Sequence, residues 1–341
     1  MRPGTVAAGL FPVWPYAVVM AGGGSRVPRV SWMVAGGLAG WALARACGAD
    51  RMRPAQSAAV PLLSFTPQVA RAAPAAALGV QLTGRRGPAV TATLAATALG
   101  LLVRPRRMAR PQPEAGGPRL RVLTLNLFAG RADAEAVVAR VREVAADVLF
   151  AQELTDEAAT RLKQAGLDDL LPQATLDLRG GPRGSGIYSR FPLSEGPLVA
   201  YAHAAQPTAL LTLPGGETVD LICVHPCAPT RQRAGVARWR RELGGLPPPG
   251  GRPRVVGGDF NATLDHAAFR DVLRLGYADC ARQTGNGLIP TWGLPGRGAV
   301  LTLDHVLADQ SCAVLAYSVQ AVPGSDHRAV YAEIQLPAAT R

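Results

Sequence analysis

The sequence predicts an α/β domain of packed sheets with helices outside, carried behind an apolar helical region. Three observations predict it. From Leu120 onward short apolar runs, separated by turn residues, outnumber the helical patterns. Before Arg110, four charge-free stretches bounded by arginines are long enough to interest a bilayer. Charge also divides unevenly: residues 1–118 hold 13 arginines against Asp50 and Glu114, a net of +11, whereas 119–341 hold 23 Lys and Arg against 22 Asp and Glu, a net of +1. The 341 residues suffice for two domains and exclude disorder for most of the chain. At 48% hydrophobic and 18% charged, the composition is apolar for a protein that meets only water. Its one lysine is Lys163, so the basic balance is an arginine effect concentrated at the N-terminus. The near-neutral C-terminal part has no surplus from which to build the basic face that a duplex-DNA binder uses to replace counterions.

The first 110 residues read as a membrane region with three to four hydrophobic helices, drawn from stretches 3–25, 30–44, 54–70 (continuing past Arg71 to 84) and 87–103. A span needs roughly 20 apolar residues, and several stretches reach that only by counting Gly, Ala, Pro or Thr. Stretch 3–25, preceded by Arg2 and followed by small residues, also fits a signal peptide. The alternative of a water-soluble helical domain is opposed by 87–103, which offers no polar face. Charge leaves the sidedness open: Arg104, Arg106, Arg107 and Arg110 would hold the following domain in the cytoplasm, while Arg85 and Arg86 argue the opposite for an adjacent loop. Residues 111–118, Pro-Gln-Pro-Glu-Ala-Gly-Gly-Pro, read as a linker with nothing to pack. Five cysteines form no evident disulfide framework or metal motif, and Cys223 and Cys227 read as small core residues.

The catalytic-type domain spans 119–341. Buried strands are expected at 121–126, 147–153, 185–189, 208–213, 218–224, 254–258, 302–308 and 328–335, with helices near 133–145 and 230–243. Polar residues end these runs: Asn126, Glu153, His225, Asp259 with Asn261 two residues on, Asp304, and Ser325-Asp326-His327 ahead of the final strand. A lone Asp or His in such a place is more often a cap or a turn than a catalyst. Together they form an inventory of oxygen ligands plus imidazoles, suited to phosphate chemistry around a hard cation such as Mg²⁺ and unlike a closed zinc site.

The order Thr-Leu-Asn126, Gln-Glu153, Gly-Ile-Tyr-Ser-Arg190, His225-Pro, Gly-Asp259-Phe-Asn261-Ala, Leu-Asp304-His and Ser-Asp326-His327 resembles the endonuclease/exonuclease/phosphatase superfamily over about 119–337. The resemblance implies a four-layered α/β sandwich, two packed mixed sheets flanked by helices, with the active site at one edge. With hydrophobic segments in front, the chain is similar to the membrane-anchored branch that includes the VanJ-type teicoplanin-resistance proteins.

The resemblance implies Glu153 as the main Mg²⁺ ligand, Mn²⁺ being a possible substitute, with Asn126 beside it and Asp326 close to the metal. Asp259 would position and deprotonate the attacking water, and Asn261 would orient it or the phosphate. His327 with Asp304 would form a dyad that contacts the phosphate, and His225 would donate to a phosphoryl oxygen. Arg190 and Thr291-Trp292 also resemble family positions, with Arg190 and Trp292 taken as substrate-binding. His203, His266 and His305 match no role and read as surface or structural. The implied substrate is a phosphorylated lipid such as undecaprenyl pyrophosphate, because a tethered enzyme meets substrates of its own membrane. Nucleic acid is the alternative, and a non-catalytic membrane scaffold a further one, which would predict losses among the catalytic residues. No protein partner is implied. The likeness implies a multi-pass protein of the cell membrane with its catalytic domain outside the cytoplasm.

Overall fold

The computed structural model describes residues 26–52, 56–196, 199, 202–229, 233–293 and 298–338. Stretch 3–25 lies outside the described residues. The helical region contains α1 (Arg26–Cys47), α2 (Gln56–Leu63), α3 (Thr66–Gln81) and α4 (Arg86–Val103). Helices α1, α3 and α4 pack on Ala35, Ala73, Ala77, Ala92 and Leu99, mostly small side chains that let helix axes come close. Their outer surface is apolar too: Trp32, Met33, Leu78, Leu82, Leu94 and Leu101 are all more than half exposed. The helix running from Arg86 to Arg107, with mean hydropathy 1.3, is the described helix long and apolar enough to cross a membrane. The stretch 54–84 is not one continuous helix, because the chain turns at Ser64–Phe65 between α2 and α3.

That corner faces the second part of the molecule. Val60 of α2 is fully buried among Trp239 and Phe260. Arg45 Nε donates to Asp265 Oδ1 at 2.6 Å, and Arg106 donates to both Asp265 oxygens at 2.8 and 2.5 Å, all three side chains being buried. Asp50 accepts from the Ala267 amide at 2.6 Å. The end of α1, the start of α3 and the end of α4 therefore sit against the catalytic-type domain. Ser31 and Thr83 meet at the far end of the bundle. Residues 111–118 contain no helix or strand, yet they are not without packing, which corrects the expectation: Gln112 accepts from the Val314 amide at 3.0 Å, and the Gly117 amide donates to Leu336 at 2.9 Å.

The strands in chain order are β1 (Arg119–Asn126), β2 (Val148–Gln152), β3 (Gln173–Asp177), β4 (Ser185–Ser189), β5 (Leu193–Glu195), β6 (Thr208–Thr212), β7 (Thr218–Val224), β8 (Arg254–Asp259), β9 (Tyr277–Asp279), β10 (Asp304–Asp309), β11 (Ala313–Ala321) and β12 (Arg328–Gln335). They form two six-stranded mixed sheets, ordered β11-β12-β1-β2-β4-β3 and β5-β6-β7-β8-β10-β9. Between the sheets lie Phe150, Ile187, Leu221, Val255, Val306 and Ile334. Outside the first sheet pack α5 (Ala134–Glu143), α6 (Asp156–Gln164) and the short α7 (Leu167–Leu170); outside the second pack α8 (Arg233–Gly244) and α9 (Ala267–Arg274). Helices α5 and α6 start where Asp133 and Thr155 accept from the amides of Ala136 and Ala158.

Strand polarity makes one edge special. β1 runs parallel to β2, and β7 parallel to β8, so all four end at the same edge, while the antiparallel β10 and β12 begin there. Six strand termini thus converge where side chains leave the core.

Candidate active site

Asn126, Glu153, His225 and Asp259 stand at or just past the ends of β1, β2, β7 and β8, and Asp304 and His327 at the starts of β10 and β12. Register seats the pair across the second sheet, Asp304 being the direct partner of Asp259. Glycines set the approach: a Cβ on Gly258 would lie 2.0 Å from the Val224 carbonyl oxygen, and Gly258 has φ +154°. Only glycine lets β8 deliver Asp259 this close to β7. Four of the five non-glycine residues with positive φ among the described residues also belong here: Phe128, Ala129, Glu153 and Asn261. Strain of this kind persists where surrounding contacts hold it, and it clusters at functional sites.

Asn126, fully buried, donates from Nδ2 to Glu153 Oε1 at 3.0 Å and to Asp259 Oδ2 at 3.1 Å, while its Oδ1 accepts from the Phe128 amide. The amide nitrogen, not the oxygen, faces the carboxylates. Asn126 thus bridges the two carboxylates and sets their spacing. Glu153 Oε2 accepts from the Ala129 amide at 2.6 Å. Asp259 Oδ1 accepts from the Asn261 amide at 2.8 Å, and Asn261 Nδ2 holds the Pro226 carbonyl at 3.0 Å.

His327 Nδ1 lies 3.0 and 2.9 Å from the two oxygens of Asp304, a carboxylate with no exposed surface. Its Nε2 lies 3.8 Å from Asp259 Oδ2 and 3.9 Å from Asp326 Oδ1. Burial is the largest influence on this imidazole and acts to lower its pKa. Asp304, Asp259 and Asp326 together outweigh it and push the value up to about 10. Asp259 moves up from the usual carboxylate range, chiefly through burial and in part through Asp304, with His327 and His225 opposing. His225 Nε2 stands 3.9 Å from both Glu153 Oε1 and Asp259 Oδ2.

Two acids remain for a cation. Asp326 accepts from Trp292 Nε1 at 3.0 Å through Oδ2, but its buried Oδ1 has no hydrogen-bond partner, and Glu153 is open to the cleft. Asp259, Asp304 and His327 also place ligand atoms within 4.8 Å of one another, but both Asp304 oxygens are already engaged by the imidazole. An orphaned carboxylate oxygen lining the same cleft as a second carboxylate suits a hard, oxygen-seeking divalent cation.

The expected site residues therefore come together, with one exception. Arg190 follows β4 at the opposite end of the sheet, where its amide donates to the Asp147 carbonyl and its guanidinium lies 3.7 Å from Asp147 Oδ1. It supports the strand ends away from the cleft and is not a substrate residue. Thr291 is fully buried and its hydroxyl accepts from the amides of Leu303 and Asp304, which fixes the start of β10. His305 and His266 are structural as expected: His305 pairs with Asp279 at 2.7 Å, and His266 contacts the Val60 carbonyl at 2.8 Å. All five cysteines are free.

The site opens into a cleft of about 890 Å³. Beyond the catalytic-type residues it shows two features that sequence reading missed. Arg183, His203 and Arg238 line it, and so do Pro61, Ser64 and Phe65 of the α2–α3 corner. Nothing in a stretch of uniform apolarity marks Phe65 as different from its neighbours.

Residues 123–327 match the Endonuclease/Exonuclease/phosphatase family. Among solved structures, the chain is similar to an endonuclease/exonuclease/phosphatase from Beutenbergia cavernae at 21% identity and a TM-score of 0.54, covering 65% of this chain and 72% of that one. It is also similar to a humanized D. rerio TDP2 at 17% identity and a TM-score of 0.50, covering 63% of this chain and 98% of that one. No curated protein matches. At these identities the two structures speak for the shared fold, and the match over most of the catalytic domain speaks for the family. The chain belongs to the endonuclease/exonuclease/phosphatase family, the metal-dependent hydrolases of phosphoester bonds.

Proposed function

We propose that the protein is a membrane-anchored, Mg²⁺-dependent phosphohydrolase that cleaves a phosphoester or phosphoanhydride bond of a phosphorylated lipid such as undecaprenyl pyrophosphate. The observation that carries this reading is the joint between the two parts: a helix bundle with an apolar exterior is clamped by buried Arg45–Asp265–Arg106 pairs onto the domain that holds the phosphate chemistry. A contiguous apolar exterior of this kind is what lipid covers. The near-neutral charge of 119–341 favours a substrate other than nucleic acid. Every acid, amide and imidazole expected of the reaction is present, which opposes a non-catalytic scaffold.

Glu153 and Asp326 would hold the cation, whose contribution is to neutralise charge on the phosphoryl oxygens. Asp259, with its pKa raised toward the working range of a base, takes the proton of the attacking water, and the Asn261 amide fixes the carboxylate that does so. Protonated His327 donates from Nε2 to a phosphoryl oxygen while Asp304 holds its other nitrogen, and His225 donates from the opposite side of Asp259. The likeness to the membrane-anchored branch supports an extracytoplasmic catalytic domain, against the charge signal of Arg104, Arg106, Arg107 and Arg110.

The test offers the purified full-length protein, with Mg²⁺, a polyprenyl pyrophosphate, a phosphoinositide and plasmid DNA in parallel. Phosphate release from a lipid with the plasmid left intact is expected. Cleavage of the plasmid alone overturns the lipid reading in favour of a nuclease.

A further inference from the structure

The helical region does more than tether. We infer that the α2–α3 corner, with Phe65 at its tip, is a specificity element of the active site, the seat for the apolar chain adjoining the scissile phosphate of a lipid substrate. This rests on the function proposed above and adds to it a residue and a mode of recognition.

Phe65 is 42% exposed although it sits at a helix junction docked against another domain, where an aromatic ring would ordinarily be covered. It lies on the same cleft as Glu153, Asp259 and His327. Leu301 and Leu303 also line the cleft, so apolar side chains accompany its ionisable groups. The corner is also held in place more firmly than a passing contact requires. Thr66 accepts from Trp41 Nε1 at 3.1 Å and donates to the Leu63 carbonyl at 2.7 Å. Ser64 Oγ and the Val60 carbonyl both contact His266 Nε2, at 3.2 and 2.8 Å, and Gln68 Nε2 donates to the Val300 carbonyl at 2.6 Å. These bonds tie the corner on one side to the bundle and on the other to His266, ahead of α9, and to Val300, in the segment before β10.

Apolar side chains are exposed outside the cleft as well, Leu62 on α2 at 53% and Leu78 on α3 at 55% among them. A ligand in this cleft meets ionisable groups together with the apolar Pro61, Phe65, Leu301 and Leu303, a lining that suits a phosphorylated amphiphile better than a water-soluble polyanion. Arg183 and Arg238, which also line the cleft, provide cationic groups for further oxygens of its headgroup.

The experiment compares kcat/KM of the full-length protein in detergent, with Mg²⁺, on farnesyl pyrophosphate and on inorganic pyrophosphate, which share a phosphoanhydride and differ in the apolar chain. Wild type should prefer the farnesyl compound, and Phe65→Ala should lower that preference about tenfold through KM, as loss of a side chain's apolar contact predicts. Phe65→Leu should restore most of it. Leu94→Ala, on the bundle exterior, should leave the preference unaltered. A wild type that hydrolyses farnesyl pyrophosphate with a preference indifferent to Phe65→Ala overturns this inference and spares the proposed function. A wild type that hydrolyses no lipid phosphate and cuts plasmid DNA overturns both.

Discussion

His327 carries a proton at neutral pH because three carboxylates face it, and that proton ties its chemistry to Asp304. Each of Asp304→Asn and His327→Ala should lower kcat by a factor on the order of 10²–10⁴, the usual worth of a positioned proton donor. The double mutant should be little worse than His327→Ala, since the two act as one unit. Near-normal turnover in both single mutants would make Asp304 a cap and His327 a turn residue. The sign of the pH effect follows from a raised folded-state pKa: the charged imidazole is present below about 10 and is lost as pH rises through that value. Activity should therefore fall on an alkaline limb near 10, and Asp304→Asn should move that limb to lower pH, as read from kcat against pH. The stability contributed by the same pair is complete below the imidazole's ordinary value near 6.5 and disappears over the same alkaline range. Most of this site was legible in the sequence, because each residue ends an apolar run and strand polarity then gathers the ends. Arg190 misled for the same reason: it too ends a strand, but β4 runs antiparallel to β2 and finishes at the opposite edge. The Asn126 orientation was not legible, since only the Phe128 amide, placed by a turn of positive φ, decides which end of the side-chain amide faces the carboxylates.

At the scale of elements, the joint between helices and sheets depends on Asp265. Burial alone would raise its pKa, but Arg106 and Arg45 outweigh that and hold the carboxyl below its usual range. The stability it contributes is present above the ordinary carboxylate value and is lost as pH falls through the depressed one. Asp265→Ala leaves two buried guanidinium groups without their partner and should cost about 3–5 kcal/mol, measured as a lowered melting temperature of the full-length protein. A change within 0.5 kcal/mol would show that the joint is held by apolar packing alone. Elements differ in how plainly the sequence announced them. Strands β2, β4 and β8 are buried on both faces and read as apolar runs. The edge strand β3 is mostly exposed and β11 largely half-exposed, both mixed in composition, and β5 and β9 have three residues each, too few for a period to show. The α2–α3 corner was hidden inside stretch 54–84, where apolarity reports burial in lipid and in protein alike, and only the pairing of Val60 with Trp239 and Phe260 separates the two.

The whole molecule joins a helix bundle with an apolar exterior to a phosphoester-hydrolase domain, and the two share the cleft. Sidedness is tested with Glu114→Cys in a Cys47→Ser background, since Glu114 is exposed in the linker and Cys47 is an exposed native thiol. A membrane-impermeant maleimide should label Glu114→Cys in intact cells; labelling only after lysis contradicts an outward domain. The oxygen-only ligand set implies that excess EDTA abolishes turnover and that Mg²⁺ restores it. The central claim is tested most directly by inorganic phosphate release from undecaprenyl pyrophosphate in liposomes carrying the full-length protein, with Mg²⁺, against the same protein bearing Glu153→Gln. Sustained release by the wild type and a loss of at least a hundredfold in the variant, with its melting temperature unchanged, is the predicted result. Equal release from both proteins, or none from the wild type while added plasmid DNA is cut, would contradict it.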